Sequence, residues 1–160
     1  MIVVADTGPI NYLILIGEIE VLPILYGAVI IPPIVREELA RNRAPEIVRR
    51  WINSQPIWLE VRQPAIAPDA ELIASELDEG ELDAILLAQE LGASELILDD
   101  MDGRKEAARR HMHAIGTLGV LRLAAKRRLL NLQTALTLLR ATNFYIDQKL
   151  FDQLIAESGQ

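Results

Sequence analysis

Cysteine is absent from the 160 residues, which excludes disulfides and thiolate metal sites and suits a reducing compartment. Aromatic residues make up only 4% of the chain against 51% hydrophobic residues overall, so the core is expected to be aliphatic. The longest apolar stretch, "INYLILIG", falls far short of the about 20 residues that span a bilayer, and "MIVVAD" lacks the basic flank of a signal peptide. A cytoplasmic protein without a membrane segment is the expectation. Positive charge is not in excess either: 16 Lys and Arg stand against 23 Asp and Glu, a net charge of -7. That balance argues against a protein that coats nucleic acid electrostatically. The bases are nonetheless grouped, as Arg41, Arg43, Arg49 and Arg50, as Arg104, Lys105, Arg109 and Arg110, and as Lys126, Arg127 and Arg128.

What is present alternates. Apolar runs of strand length stand at 2–5 ("IVVA"), 28–31 ("AVII"), 95–98 ("ELIL") and 113–115 ("HAI"), with helical patterns between them, and "WLEV" at 58–61 reads as an edge strand or a loop. The runs are continuous, as in parallel sheets covered on both faces. An α/β fold in one unit, residues 1–160, is expected, with the helices from about 131 as a packing or dimer extension. "PIVREELARN" starts a helix at Pro33, and "DEGELDAILLAQELG" starts one with Asp78 as N-cap and Glu81 at the capping-box position, ending at Gly92. Helical patterns also cover "GRKEAARRHM", "TLGVLRLAAKRRLL", "LQTALTLLRA" and "DQKLFDQLIAESG", while "RQPAIAPDA" at 62–70 reads as a loop.

Two of the strand candidates end in acid. "IVVA" runs into Asp6, then Thr7, Gly8 and Pro9, and "ELIL" runs into Asp99 and Asp100. Open parallel sheets bind ligands beyond the carboxyl ends of their strands, although a lone aspartate there also serves as a helix cap. On the helix after Pro32, at about 100° per residue, Glu38 falls on the apolar face between Ile34 and Val35 whereas Glu37 points away. Asp83 is the one polar residue in "LDAILLA" and needs a partner in so apolar a helix. Glu81 is explained by capping alone.

An acid after the first strand, a glutamate followed by leucine on an early helix, "GELDAILLA" and an acidic strand end before "DGRKEA" together resemble the PIN-domain family, metal-dependent ribonucleases that include VapC-type toxins. The likeness runs through "DTGPINYL", "IIPPIVREEL" and "IGTLGVLRLAAKRRLL" and covers nearly the whole chain. It implies a three-layer fold with a central, mainly parallel twisted sheet of four or five strands flanked by helices. It also implies a converging site of Asp6, Glu38, Asp83 and an acid from the 99–102 window, where Asp99 and Asp100 both fit and Asp102 lies nearby. The threonine usual before the last acid is missing; Thr7 and Thr117 are candidates to orient ligands or water.

Carboxylates without cysteine make a hard-oxygen site suited to Mg2+ or Mn2+, with His111 and His113 incidental. The implied activity is hydrolysis of RNA phosphodiester bonds, with the toxin of a toxin–antitoxin pair as one form of it and Arg104, Lys105 and Arg109 tracking the RNA backbone. The implied partners are an RNA substrate, an antitoxin protein and a second copy in a homodimer, the latter also suggested by an exposed apolar stretch expected at "NFYI", 143–146. A non-catalytic PIN-fold module binding a partner protein or RNA is the alternative. A phosphotransfer domain of receiver or haloacid-phosphatase type fits less well, because "TGP" after Asp6 lacks the phosphatases' second aspartate.

Overall fold

The computed structural model describes residues 1–159; Gln160, the last residue of the expected unit, lies outside them. Each apolar run becomes a short strand: β1 (Val3–Ala5), β2 (Val29–Ile31), β3 (Leu59–Val61), β4 (Glu95–Ile97) and β5 (Ala114–Ile115). Every neighbouring pair is parallel, and the order across the sheet is β3-β2-β1-β4-β5. "WLEV" therefore supplies one edge strand and "HAI" the other.

Side chains alternate across the sheet, as pleating requires. Val3, Ala5, Val29, Ile31 and Ile97 enter one core, and Val4, Ile30, Leu96 and Leu98 enter the other. The first core is covered by α1 (Thr7–Leu15), α2 (Val21–Tyr26), α3 (Pro33–Ala40), α4 (Glu46–Asn53), α8 (Thr117–Lys126), α9 (Leu132–Arg140) and α10 (Gln148–Ser158). The second is covered by α5 (Ala70–Ala74), α6 (Glu79–Leu91) and α7 (Met101–Arg109). Both faces need apolar side chains in the inner strands, so β1 and β2 show no polar alternation in sequence, whereas the edge strand β3, with Glu60 exposed, does.

The helices follow their start and stop signals. Pro33 opens α3, and Asp78 and Glu81 form a reciprocal capping box on α6, which ends at Gly92. The 62–70 stretch is irregular as far as Asp69, which caps the short α5. Periodicity missed α1 because it has hardly any polar face: it packs against α3, α4 and α8, and burial on several sides leaves no contrast of period 3.6. Among the described residues no helix is long and apolar enough to cross a membrane.

The C-terminal helices add to the first core through Leu132, Ala135, Leu136, Leu139 and Leu154. The segment at 143–146 corrects the expectation of an exposed apolar stretch. Phe144 packs edge-on against Tyr12 with ring centroids 4.9 Å apart, Ile146 is 4% exposed, and of the three apolar side chains there Tyr145 alone, at 84%, is exposed.

Candidate active site

Strand order reverses between β1 and β4, since β2 and β3 lie on one side and β5 on the other. Such a switch point opens a crevice beyond the strand ends. Asp6 follows β1 and Asp99 follows β4, so both acids flank that crevice; the Asp6 amide donates to the Ile97 carbonyl at 2.9 Å and fixes the two strand ends together.

Asp6 occupies the N-cap position of α1 with extended backbone, yet its side chain makes no capping bond. It is 8% exposed, and its Oδ1 is buried with no hydrogen-bond partner among the described residues. Burial pushes its pKa up to about 7; the Thr7 backbone amide works against that, and the charges of Asp78, Glu38 and Asp99 add to it. An uncompensated buried carboxylate costs several kcal/mol on the order of a broken buried pair. The Thr7 amide offsets part of that cost, and Oδ1 remains without a partner among the described residues.

Glu38 reaches the same place from α3. It is half-buried while Glu37 is exposed, and its Oε2 accepts a 2.7 Å bond from the Thr7 hydroxyl. Gly80, in the first turn of α6, is where the two carboxylates meet. A Cβ there would stand 2.6 Å from Glu38 Oε1 and 3.2 Å from Asp6 Oδ1. The absence of a side chain at Gly80 lets α6 close over both acids.

The adjacent aspartates after β4 divide their tasks. Asp100 is exposed and caps α7, accepting from the Gly103 amide at 2.8 Å. Asp99 turns the other way and accepts from the Thr117 amide at 2.6 Å and the Thr117 hydroxyl at 2.7 Å. Burial raises its pKa, and the two Thr117 bonds and the Arg104 charge pull against that. Gly116 is again a close approach, for a Cβ there would lie 2.6 Å from Asp99 Oδ1 and 3.4 Å from an Arg104 terminal nitrogen. Asp99 thus holds the start of α8, which follows the neighbouring strand β5. The first amides of α1 and α8, Thr7 and Thr117, act on Asp6 and Asp99, and the positive ends of these helices favour negative charge there.

The pKa of Asp83 is raised by burial and then by the charge of Glu79, its neighbour one turn earlier on α6. Glu81 does more than cap: its pKa is pushed up to about 7 by burial and by the charges of Asp78, Asp100 and Asp6. The sequence signal for it was the same capping box, so its second surroundings had no local mark.

The basic cluster at 104–110 also separates. Arg104 faces Asp99, and its Nε is buried without a partner among the described residues. Arg109 pairs with Glu106 at 3.2 Å, and Arg110 is held by Asp69 at 2.8 Å, Gln89 at 2.8 Å and Glu106 at 3.4 Å. Arg110 therefore ties α5 to α7, and of the three bases expected to track a backbone only Arg104 is seen beside an acid of the crevice. His113 is bonded to Glu95 at 2.8 Å, at the other end of β4.

The donors available to an ion are carboxylate and hydroxyl oxygens, which suit a hard divalent cation. Among the described residues no group of three or more acids or imidazoles is spaced to hold an ion unaided. That spacing is compatible with magnesium, which takes one or two carboxylates and fills its shell with water and substrate phosphate. The buried, unpartnered Asp6 Oδ1 is the atom such an ion would satisfy.

Comparison with curated proteins and with solved structures returns no match. The family DUF3368, a PIN domain, matches residues 2–160, and the chain accordingly belongs to the PIN-domain family.

Proposed function

We propose that this PIN domain is a ribonuclease that depends on Mg2+ or Mn2+, held by Asp6 and Glu38 together with Asp99. PIN domains are in general nucleases that use divalent metal ions, and the finer reading rests on one observation: Asp6 Oδ1, buried and unpartnered, stands across Gly80 from Glu38 Oε1. Bound there, the ion would supply Lewis-acid stabilisation of the charge that develops on a phosphodiester.

The chain's own residues do the positioning. Thr7 fixes the rotamer of Glu38, and Thr117 fixes that of Asp99. Arg104, beside Asp99, would offer its guanidinium N–H groups to a phosphate oxygen. Burial of Asp6 and closure by α6 limit water at the reacting atoms. Of the expected ligands, Asp100 is committed to capping α7 and Asp83 stands beside Glu79, so both enter this proposal as outer charges rather than direct ligands. An antitoxin partner, the toxin role and a homodimer belong to the same proposal through the family likeness alone.

The test is cleavage of single-stranded RNA by the full chain with magnesium or manganese, with chelator, and with Asp6→Asn. Cleavage that needs the ion and Asp6 supports the reading. Cleavage that survives chelation overturns the mechanism, and metal binding without cleavage turns the reading to the non-catalytic module.

A further inference from the structure

All five strands run in one direction, so the sheet has a second edge, where the strands begin, and the acid crevice makes no use of it. A hollow of about 510 Å³ opens at that edge, walled by Glu95 at the start of β4, His113 before β5, one side of α8 from Gly119 to Lys126 and the end of α10. Its volume falls within the roughly 300–1,000 Å³ of small-molecule sites. The apolar part is made by Ile115, Leu123, Leu132 and Leu154.

The charges around the hollow are unevenly committed. Both acids are engaged: Glu95 Oε1 and Oε2 each lie 2.8 Å from His113 Nδ1, and Glu157 accepts from Arg122 Nη2 at 3.1 Å and from Gln153 at 3.2 Å. On the basic side, the Lys126 ammonium has no partner among the described residues, and Arg122 commits one nitrogen to Glu157. Lys126, Arg127 and Arg128 are exposed at the end of α8, where cations complement the helix dipole. That complement explains the cations but not an apolar hollow beneath them. Apolar walls with uncommitted N–H donors at the rim suit a ligand of matching make.

We propose that this hollow binds a small amphiphilic anion, with the apolar body against Leu123, Leu132 and Leu154 and a carboxylate, sulfonate or phosphate head at Lys126 and Arg122. The site is independent of the nuclease reading. It lies at the opposite end of β4 from Asp99.

The experiment titrates the full chain with anilinonaphthalene sulfonate, followed by fluorescence and by amide shifts at Gly119, Leu123 and Lys126, and then displaces the dye with octanoate or octanol. Saturable binding with those shifts, and displacement by octanoate better than by octanol, is the expected result. Lys126→Glu should weaken binding about fivefold or more, the scale of an exposed ion pair lost and reversed. Leu123→Trp, which fills the hollow from its exposed rim, should abolish it, and Asp6→Asn should leave it unchanged. The proposal is overturned by absence of saturable binding, by equal affinity of wild type and Lys126→Glu, by loss of binding in Asp6→Asn, or by a sedimenting dimer that excludes the dye.

Discussion

β1 and β4 are neighbours in the sheet and both end in aspartate, but the chain spends these carboxylates differently. After β4, Asp100 caps α7 and Asp99 turns the other way to accept from the amide and hydroxyl of Thr117 at the start of α8. After β1 there is only Asp6, which stands in the capping position of α1 and does not cap it. An absent cap costs about 1 kcal/mol, and a buried carboxylate costs more. With two acids after β4 each secures a helix start, whereas the single acid after β1 leaves its helix without a side-chain cap and keeps Oδ1 buried and unpartnered among the described residues. This comparison separates Asp6 and Asp99 from Asp100 more sharply than their shared place at strand ends suggests.

The largest effect that would sharpen the contrast is in catalysis. Asp6→Asn should lower the rate of RNA cleavage by at least about two decades, on the scale of a lost electrostatic contact at a reacting centre. Asp100→Ala should leave activity within a few-fold of wild type and lower stability by about 1 kcal/mol in a denaturant titration. Equal loss of activity in both would erase the distinction between the two strand ends.

Gly80→Ala tests the meeting of the carboxylates without altering any charge. The added Cβ displaces Glu38 Oε1 and Asp6 Oδ1, and a shift of about 1 Å at a reacting centre costs up to about a hundredfold in rate. A variant with unchanged kcat and unchanged response to metal would show that α6 does not close the site.

The pH dependence of the metal-free protein comes next. The folded pKa of Asp6 is raised from 3.8 to about 7 and that of Glu81 from 4.5 to about 7. Between those limits the folded state holds the protons that the unfolded chain has lost, so stability should fall as pH rises from about 4 through about 7. Thermal melts with chelator should show this decline, and Asp6→Asn should flatten it and melt higher than wild type above pH 7, about the neutral range. Added magnesium or manganese should restore wild type at the upper end by mass action, and the variant much less. A wild-type Tm that climbs over this range in chelator contradicts the burial of Asp6 as an unpartnered acid.

The smallest effect is at Asp99's support. Thr117→Val removes the hydroxyl bond and keeps the amide bond, and should cost roughly 0.5–1.5 kcal/mol of stability together with a several-fold loss of activity. Glu37→Gln, on the exposed face of α3, should change neither measurement. An effect there equal to that of Glu38→Gln would put the phase of α3 in error.

Much of the framework is legible in local sequence because its causes are local. A continuous apolar run of four residues can only be a strand covered on both sides or a piece of buried helix, and Pro32 or Asp78 nearby decides between them. The turning of Glu38 inward follows from the angle per residue of a helix. The capping box on α6 follows from the reach of two side chains one turn apart. α1 escaped the same reasoning because a helix enclosed on several sides carries no stripe. Sequence spacing groups Arg110 with Arg104, Lys105 and Arg109, but the fold separates it from them by holding it against Asp69 and Glu106.

By itself, then, the sequence determined the alternation of strands and helices, the aliphatic core, the inward phase of Glu38 and the set of oxygen donors from which any ion must choose. Only the tertiary structure decided which donors meet. Thr7 and Glu38 are 31 residues apart, Asp99 and Thr117 are 18 apart, and Gly80 comes to Asp6 and Glu38 from a different helix layer. Whether Asp99 or Asp100 faces the crevice, and whether Asp83 or Glu81 stands nearer to Asp6, depends on how α6, α7 and α8 pack on the sheet. Spacing along the chain sets the direction of each side chain relative to its own helix, but a contact needs the relative placement of two elements, and that is fixed by the cores on the two faces of the sheet.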